Sequence, residues 1–337
     1  MSSPNTANPG KPRQPAEQLK TVAGYLFALA GLVWVLHDVH PNQLVAHLTI
    51  YDWRWAAVAI LADILAFISQ GWRWSLLLSP LGKISTLRTT QAIYAGLFTN
   101  EVLPLRAGEV LRAFLVSRWL SAPLGSVIAS IAVERILDGI ALALCLGVAT
   151  VFVPLPHGIE RTADIFGIAI IISAVVLGWL VHRYGGRSVA SEQGRLRSFL
   201  RSILAGSHLI ITSGRFWWAA AISFLVLGFQ SLAFSFMMPA CGLDLPLWVG
   251  VVVFFIVHLG TAVPNAPANV GSYQFFTALG LTLFGVDKAA AAGFSIVVFL
   301  VLTIPLWIIG FIALTASGMN LKRVRLEISG LRTQKNS

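Results

Sequence analysis

Residues 100–112 read N-E-V-L-P-L-R-A-G-E-V-L-R and carry four charges, Glu101, Arg106, Glu109 and Arg112, around Pro104 and Gly108. Proline removes a helical hydrogen bond and glycine loosens the chain, so a helix breaks here and a new half-helix starts beyond Gly108. The free N–H groups and positive dipole end of that half-helix attract anions. A guanidinium beside it can bind phosphate or carboxylate through two parallel hydrogen bonds. Arg106 and Arg112 are therefore candidate ligands for an anionic group. Glu101 and Glu109 would balance their charge and take up protons.

A second charged run, E-R-I-L-D, follows at Glu134, Arg135 and Asp138. Glu134 and Asp138 are four apart and share a helix face, and Arg135 is three from Asp138, within pairing reach. Two readings stand: a structural salt-bridge network, or a functional group that orients the segment at 100–112. A second break, P-N-A-P-A-N-V-G at 264–271, has no charge. It offers Asn265, Asn269, Ser272, Tyr273 and Gln274, which suit either a hydroxylated or amide-bearing headgroup or satisfaction of the broken backbone.

These residues lie in apolar surroundings. The 337-residue chain is 56% hydrophobic and 11% charged, where soluble domains carry about 25% charged residues. An integral membrane protein is expected. Ionisable groups inside spans are costly and face a cavity or one another; Asp63, in the second span, is one of several here. The net charge of +10 does not indicate nucleic-acid binding, because the charges track membrane sides rather than one face. Cys145 and Cys241 supply neither a disulfide framework nor a metal site. No nucleotide-binding glycine loop, H-E-x-x-H, G-x-S-x-G or D-x-D occurs, so no cofactor or metal is expected. Trp53, Trp55, Trp72, Trp74, Trp217, Trp218 and Trp248 fall near expected span ends, where interfacial anchoring accounts for them.

A spanning helix needs about 20 apolar residues. Candidates are 20–39, 54–79, 123–153, 163–183, 215–239 and 288–317. The regions 88–120 and 247–285 are interrupted, and each reads as a re-entrant hairpin whose break must face protein or water. With the N-terminus inside, 18 Lys and Arg, Arg73 among them, fall on the cytoplasmic side, three outside and three in the membrane. This bias places both termini in the cytoplasm, provided that both broken regions return to the side they entered.

The expected architecture is an all-α polytopic membrane protein with about six full spans and two re-entrant helical hairpins in an inverted repeat. A disordered tail at 1–20 precedes one domain at 21–318, with halves at about 21–155 and 160–318, and a basic tail follows at 319–337. Pro104–Gly108 and Pro267–Gly271 share a P-x-x-x-G spacing, as paired broken helices of secondary transporters would. Residues 195–211 read as an amphipathic helix lying on the cytoplasmic leaflet.

The pattern N-x-x-x-P-x-R-x-G-E-x-x-R, filled by Asn100, Pro104, Arg106, Gly108, Glu109 and Arg112, resembles the membrane region of lysylphosphatidylglycerol synthases, the flippase-like membrane family. E-R-I-L-D and the late P-x-x-x-G break share the resemblance, which covers essentially the chain after residue 20. It implies movement of a lipid across the bilayer. The chain ends about 20 residues after its last expected span, so no soluble synthase domain is expected and aminoacyl transfer is not carried over. The family's second break often reads P-G-x-x-G-x-x-E, whereas this chain has Gln274 at the acidic position.

The resulting expectation is a flippase or transporter for a phosphate-bearing lipid: a phospholipid, an aminoacyl-phospholipid or a polyprenyl-phosphate-linked lipid. Its substrate site would draw on Asn100, Glu101, Arg106, Glu109, Arg112, Glu134, Arg135, Asp138, Asn265, Asn269 and Gln274. The alternatives are an integral-membrane glycosyltransferase and an accessory protein acting on a lipid-linked substrate. Partners would be the membrane lipid and enzymes of envelope lipid or glycolipid synthesis, and the location a bacterial inner membrane.

Overall fold

A computed structural model describes residues 15–103, 107–152, 157–184, 195–261 and 267–318. These residues are helical throughout. In order they form α1 (Pro15–Leu36), α2 (Pro41–Ala46), α3 (Trp53–Leu78), α4 (Thr86–Val102), α5 (Ala107–Leu120), α6 (Leu124–Phe152), α7 (His157–Tyr184), α8 (Arg195–Ile211), α9 (Arg215–Ala240), α10 (Leu247–Gly260), a short 3-10 turn at Pro267–Asn269, α11 (Ser272–Leu283) and α12 (Lys288–Ala316). The six expected spans correspond to α1, α3, α6, α7, α9 and α12, and the amphipathic run to α8. The short α2 was not anticipated; its six residues start at Pro41, a favoured first helical position.

Side chains fix several starts. Asp52 accepts from the Arg54 N–H, Ser85 from the Arg88 N–H and Asp287 from the Ala289 N–H, each satisfying a donor that a helix leaves free. Among the described residues, α3, α9 and α12 are long and apolar enough to cross a membrane. On α7, Ile165, Ile168, Ile171, Ile172, Val175 and Trp179 are exposed, a surface suited to lipid rather than water.

Both interrupted regions break where expected. Helices α4 and α5 (17 and 14 residues) pack on each other, and so do α10 and α11 (14 and 12 residues). At about 1.5 Å per residue, none of the four reaches the roughly 30 Å of a hydrocarbon core.

Two apolar cores hold the two helix pairs, and the long helices pass through both. Trp74, Leu77 and Leu78 of α3, Ala219 of α9 and Ala313 and Leu314 of α12 pack with α4, α5 and α6. Ala56 and Ala59 of α3, Phe234, Met237 and Met238 of α9, and Phe294, Val297 and Val298 of α12 pack with α10 and α11. The two pairs therefore sit toward opposite ends of the same three helices. They still meet, because α4 also packs against Pro267–Asn269.

One assignment is corrected. The charge count placed Arg73 among the residues of the cytoplasmic segments. The structure buries it completely in α3, against acids of α6. The excess of basic residues on that side survives its removal.

Candidate functional site

Three helices converge on one ion-pair cluster. Helix α3 supplies Gln70, Arg73 and Trp74, α5 supplies Glu109 and Arg112, and α6 supplies Glu134, Arg135 and Asp138. Glu134 is its centre. Its Oε1 accepts from Gln70 Nε2 at 3.0 Å and from Arg112 Nη1 at 3.2 Å, and lies 3.3 Å from Arg73 Nη2. Arg73 also donates to Asp138 and, at 3.0 Å, to Ser223 Oγ of α9. The four-residue spacing of Glu134 and Asp138 is what lets one guanidinium engage both.

Arg135 faces the other way. Its Nη2 lies 3.1 Å from Glu109 Oε1 and its Nη1 lies 3.6 Å from Asp138 Oδ2. Exposure is graded across the cluster: the Arg73 and Glu134 side chains are at 0%, Arg112 at 4%, Asp138 at 23%, Glu109 at 29% and Arg135 at 47%. One end is sealed and the other open. The three arginines and three carboxylates balance in formal charge, as an assembly inside a membrane requires.

The buried arginines are not saturated. Nε and Nη2 of both Arg73 and Arg112 have no hydrogen-bond partner. Arg73 Nη2 is within ion-pair range of Glu134 but poorly aligned for a hydrogen bond. The Arg112 guanidinium lies over the Trp74 ring, 4.9 Å from its centroid, and Trp74 Nε1 is held by Ser130 Oγ at 2.9 Å. Stacking of this kind positions a guanidinium while leaving its edge free.

Asn100 has a different task. Its Oδ1 accepts from the Gly108 N–H at 2.8 Å, so it caps the start of α5 from the last turn of α4. This occupies one of the free donors expected there. Asn100→Ala should cost about 1 kcal/mol, read as a lower midpoint in detergent unfolding, and Asn100→Asp should recover most of it.

Glu101 accepts from Trp307 Nε1 of α12 at 3.2 Å and stands outside the cluster. At the second break, Gln274 Oε1 accepts from the Gly271 N–H at 2.7 Å and so closes the turn. Gly271 has φ 87° and Asn269 φ 52°, and a side chain on Gly271 would strike the Ala28 carbonyl of α1. Asn269 and Gln274 are not brought to the ion-pair cluster. Arg106 and Asn265 lie outside the described residues. Among those described, no group of His, Cys, Asp and Glu could hold a metal ion.

Sequence reading missed Arg73 and Gln70. The available signal was their position: two polar residues three apart within an expected span, at least six residues from its end.

The apolar helices and the charged cluster buried among them define an integral membrane protein. The family model for the lysylphosphatidylglycerol synthase TM region matches residues 21–310, and the chain belongs to that family. It is also similar to a protein named glycosyltransferase AglD from Haloferax volcanii, with 25% identity over 319 aligned residues. The match takes in 80% of this chain and 50% of the relative, so the chain spans about half the length of the curated relative it matches.

Proposed function

We propose that this protein moves a phosphate-bearing lipid across a membrane, with the headgroup bound at the α3–α5–α6 cluster. The observation that carries this reading is the set of buried guanidinium nitrogens with neither a hydrogen bond nor an ion pair, Nε of Arg73 and Nε and Nη2 of Arg112. Buried donors without acceptors are uncommon and call for an explanation. A phosphate offers several strong acceptor oxygens, and guanidinium matches its geometry.

In this reading α4–α5 and α10–α11 are re-entrant hairpins entering from opposite sides, and the two halves are inverted repeats. Support comes from their short helices and from their cores at opposite ends of α3, α9 and α12. The basic excess puts both termini in the cytoplasm, in a bacterial inner membrane. The headgroup enters past Arg135 and Glu109, the open end of the cluster, and meets Arg112. Rocking of one half against the other would expose the site to each leaflet in turn.

The test is a mass-spectrometric inventory of lipids that co-purify with wild type and with Arg112→Gln. One phosphate-bearing lipid should be enriched over bulk membrane in the wild type. Loss of one charge-assisted pair, about 1.5–3 kcal/mol, should lower its occupancy roughly tenfold or more. Bulk lipid in bulk proportions in both samples would sink the reading.

The name of the Haloferax volcanii relative favours a second reading: a membrane transferase acting on a lipid-linked substrate, with Glu109 or Asp138 as base. Membranes incubated with labelled sugar donors separate the two. Lipid-linked product that vanishes in Glu109→Gln would favour the transferase.

A further inference from the structure

The ion-pair cluster leaves Asp63 unused. Asp63 lies on α3 between Ala59, which packs with the second helix pair, and Phe67, which packs with the first. Asp63 is partly buried, and among the described residues no hydrogen bond or ion pair reaches its carboxylate. Two phenols do lie within its electrostatic reach, Tyr94 of α4 and Tyr273 of α11. Tyr94 stacks on Phe67, one turn from Asp63, with ring centroids 5.3 Å apart, and its buried hydroxyl has no partner. Tyr273 stacks on Phe299 of α12 at 5.4 Å. Its neighbour Ser272 is fully buried, also with an unpartnered hydroxyl.

Other ionisable groups on the surrounding helices are engaged or distant. Glu134, Arg135 and Asp138 of α6 belong to the cluster, with Arg73 of α3 itself. Glu101 of α4 is bonded to Trp307, and Arg88 stacks on Trp119. Lys288 opens α12 against Trp34 and the His37 carbonyl. Arg215 is the first residue of α9.

An ionised carboxylate without a partner inside a span is costly, and a proton removes that charge. We propose that Asp63, Tyr94 and Tyr273 form a proton-binding site where the two helix pairs meet, and that loading and unloading it couples lipid movement to a proton gradient. The coupling rests on the transport reading above; the proton site does not. Ionised, the carboxylate is acceptor only and draws both phenol O–H groups toward it. Protonated, it donates its own O–H and releases one phenol. One proton enters from one side and leaves to the other in each cycle, and the phenols bias the spacing of the two pairs.

The link to the headgroup site is a helix face. Asp63, Phe67, Gln70 and Trp74 recur at spacings of four, three and four, so they share one side of α3. Gln70 donates to Glu134 and Trp74 underlies Arg112. About 10 Å of rigid helix separates Asp63 from Gln70.

Two measurements on purified protein in liposomes test this. Infrared difference spectra across a pH jump should show a protonated-carboxyl band that responds to the jump, is absent in Asp63→Asn and shifts in Tyr94→Phe. The second follows a fluorescent phosphatidylglycerol quenched from outside. Wild type should move it at least roughly fivefold faster under a pH gradient than without one, and Asp63→Asn should move it equally under both. A band unchanged in Asp63→Asn overturns the proton site. A gradient response that persists in Asp63→Asn overturns the coupling. If the wild type moves no probe under any gradient, the coupling falls together with the transport reading, and the infrared band still decides the site.

Discussion

Glu134→Ala should destabilise the folded protein by about 3–5 kcal/mol, because it leaves two buried guanidinium groups facing each other without their shared acid. Arg73 retains Asp138 and Ser223, whereas among the described residues Arg112 keeps the Trp74 ring and the more distant charge of Glu109. Glu134→Gln keeps the shape and the acceptor oxygen, so it should cost less, and its damage should concentrate at Arg112. A coupling experiment follows. Adding Arg112→Met to Glu134→Gln removes the orphaned charge, and the double variant should be more stable than Glu134→Gln alone. Breaking a buried pair costs far more than replacing both partners with groups of similar volume. Denaturant unfolding in detergent, followed by tryptophan fluorescence, reports it. If Glu134→Ala unfolds like the wild type, the cluster is looser and wetter than its burial indicates. Arg135→Ala removes the most exposed member and should cost far less, since exposed pairs contribute about 0–1 kcal/mol.

The elements were legible because hydrophobic runs of the right length leave few alternatives in a membrane. Run length marked all six long helices, and Pro104 and Pro267 marked both breaks. The charged half of the site was legible for a similar reason: Glu109, Arg112, Glu134, Arg135 and Asp138 are conspicuous where apolar residues are the rule. Arg73 was hidden by the same logic. An arginine near a span end reads as a side chain reaching for the interface, and only the packing of α3 on α6 shows that it turns inward. The pairing pattern was only half available. The i,i+3 contact of Arg135 with Asp138 is local and could be read from spacing, whereas those of Glu134 with Arg73 and Arg112 depend on which helices meet. Asn100 shows a contact that spacing does not reveal. It belongs to a recognisable motif, which the sequence reads as a substrate contact, and the structure adds a bond from the Gly108 N–H that caps α5. Gln274, which stands where an acid is common in the family, likewise bonds the backbone of its own turn.

Gly108→Ala should be the other severe substitution, for a steric reason. Helices α4 and α5 touch backbone to backbone at Gly96 and Gly108. A Cβ on Gly108 would overlap the Gly96 carbonyl oxygen and come within 2.8 Å of Asn100 Oδ1. A Cβ on Gly96 would lie 2.8 Å from the Gly108 carbonyl oxygen. Neither obstacle is a flexible side chain, so α4 and α5 must part. Overpacking of this kind costs about 1–3 kcal/mol, and the loss of the Asn100 cap adds about 1 kcal/mol. The larger consequence is positional, because Glu109 and Arg112 lie one and four residues beyond Gly108 on the same helix. A shift of α5 pulls Arg112 from Glu134 and Glu109 from Arg135 together. Gly108→Ala should therefore lose both stability and the lipid that co-purifies with the wild type. Gly228→Ala is the control. No atom lies within 4 Å of a Cβ built there, so alanine should be neutral or add about 0.5–1 kcal/mol by restricting the unfolded chain. If both alanine variants melt alike and carry the same lipid, the close approach of α4 and α5 does not hold Arg112 in place, and the headgroup site must be sought away from the hairpin.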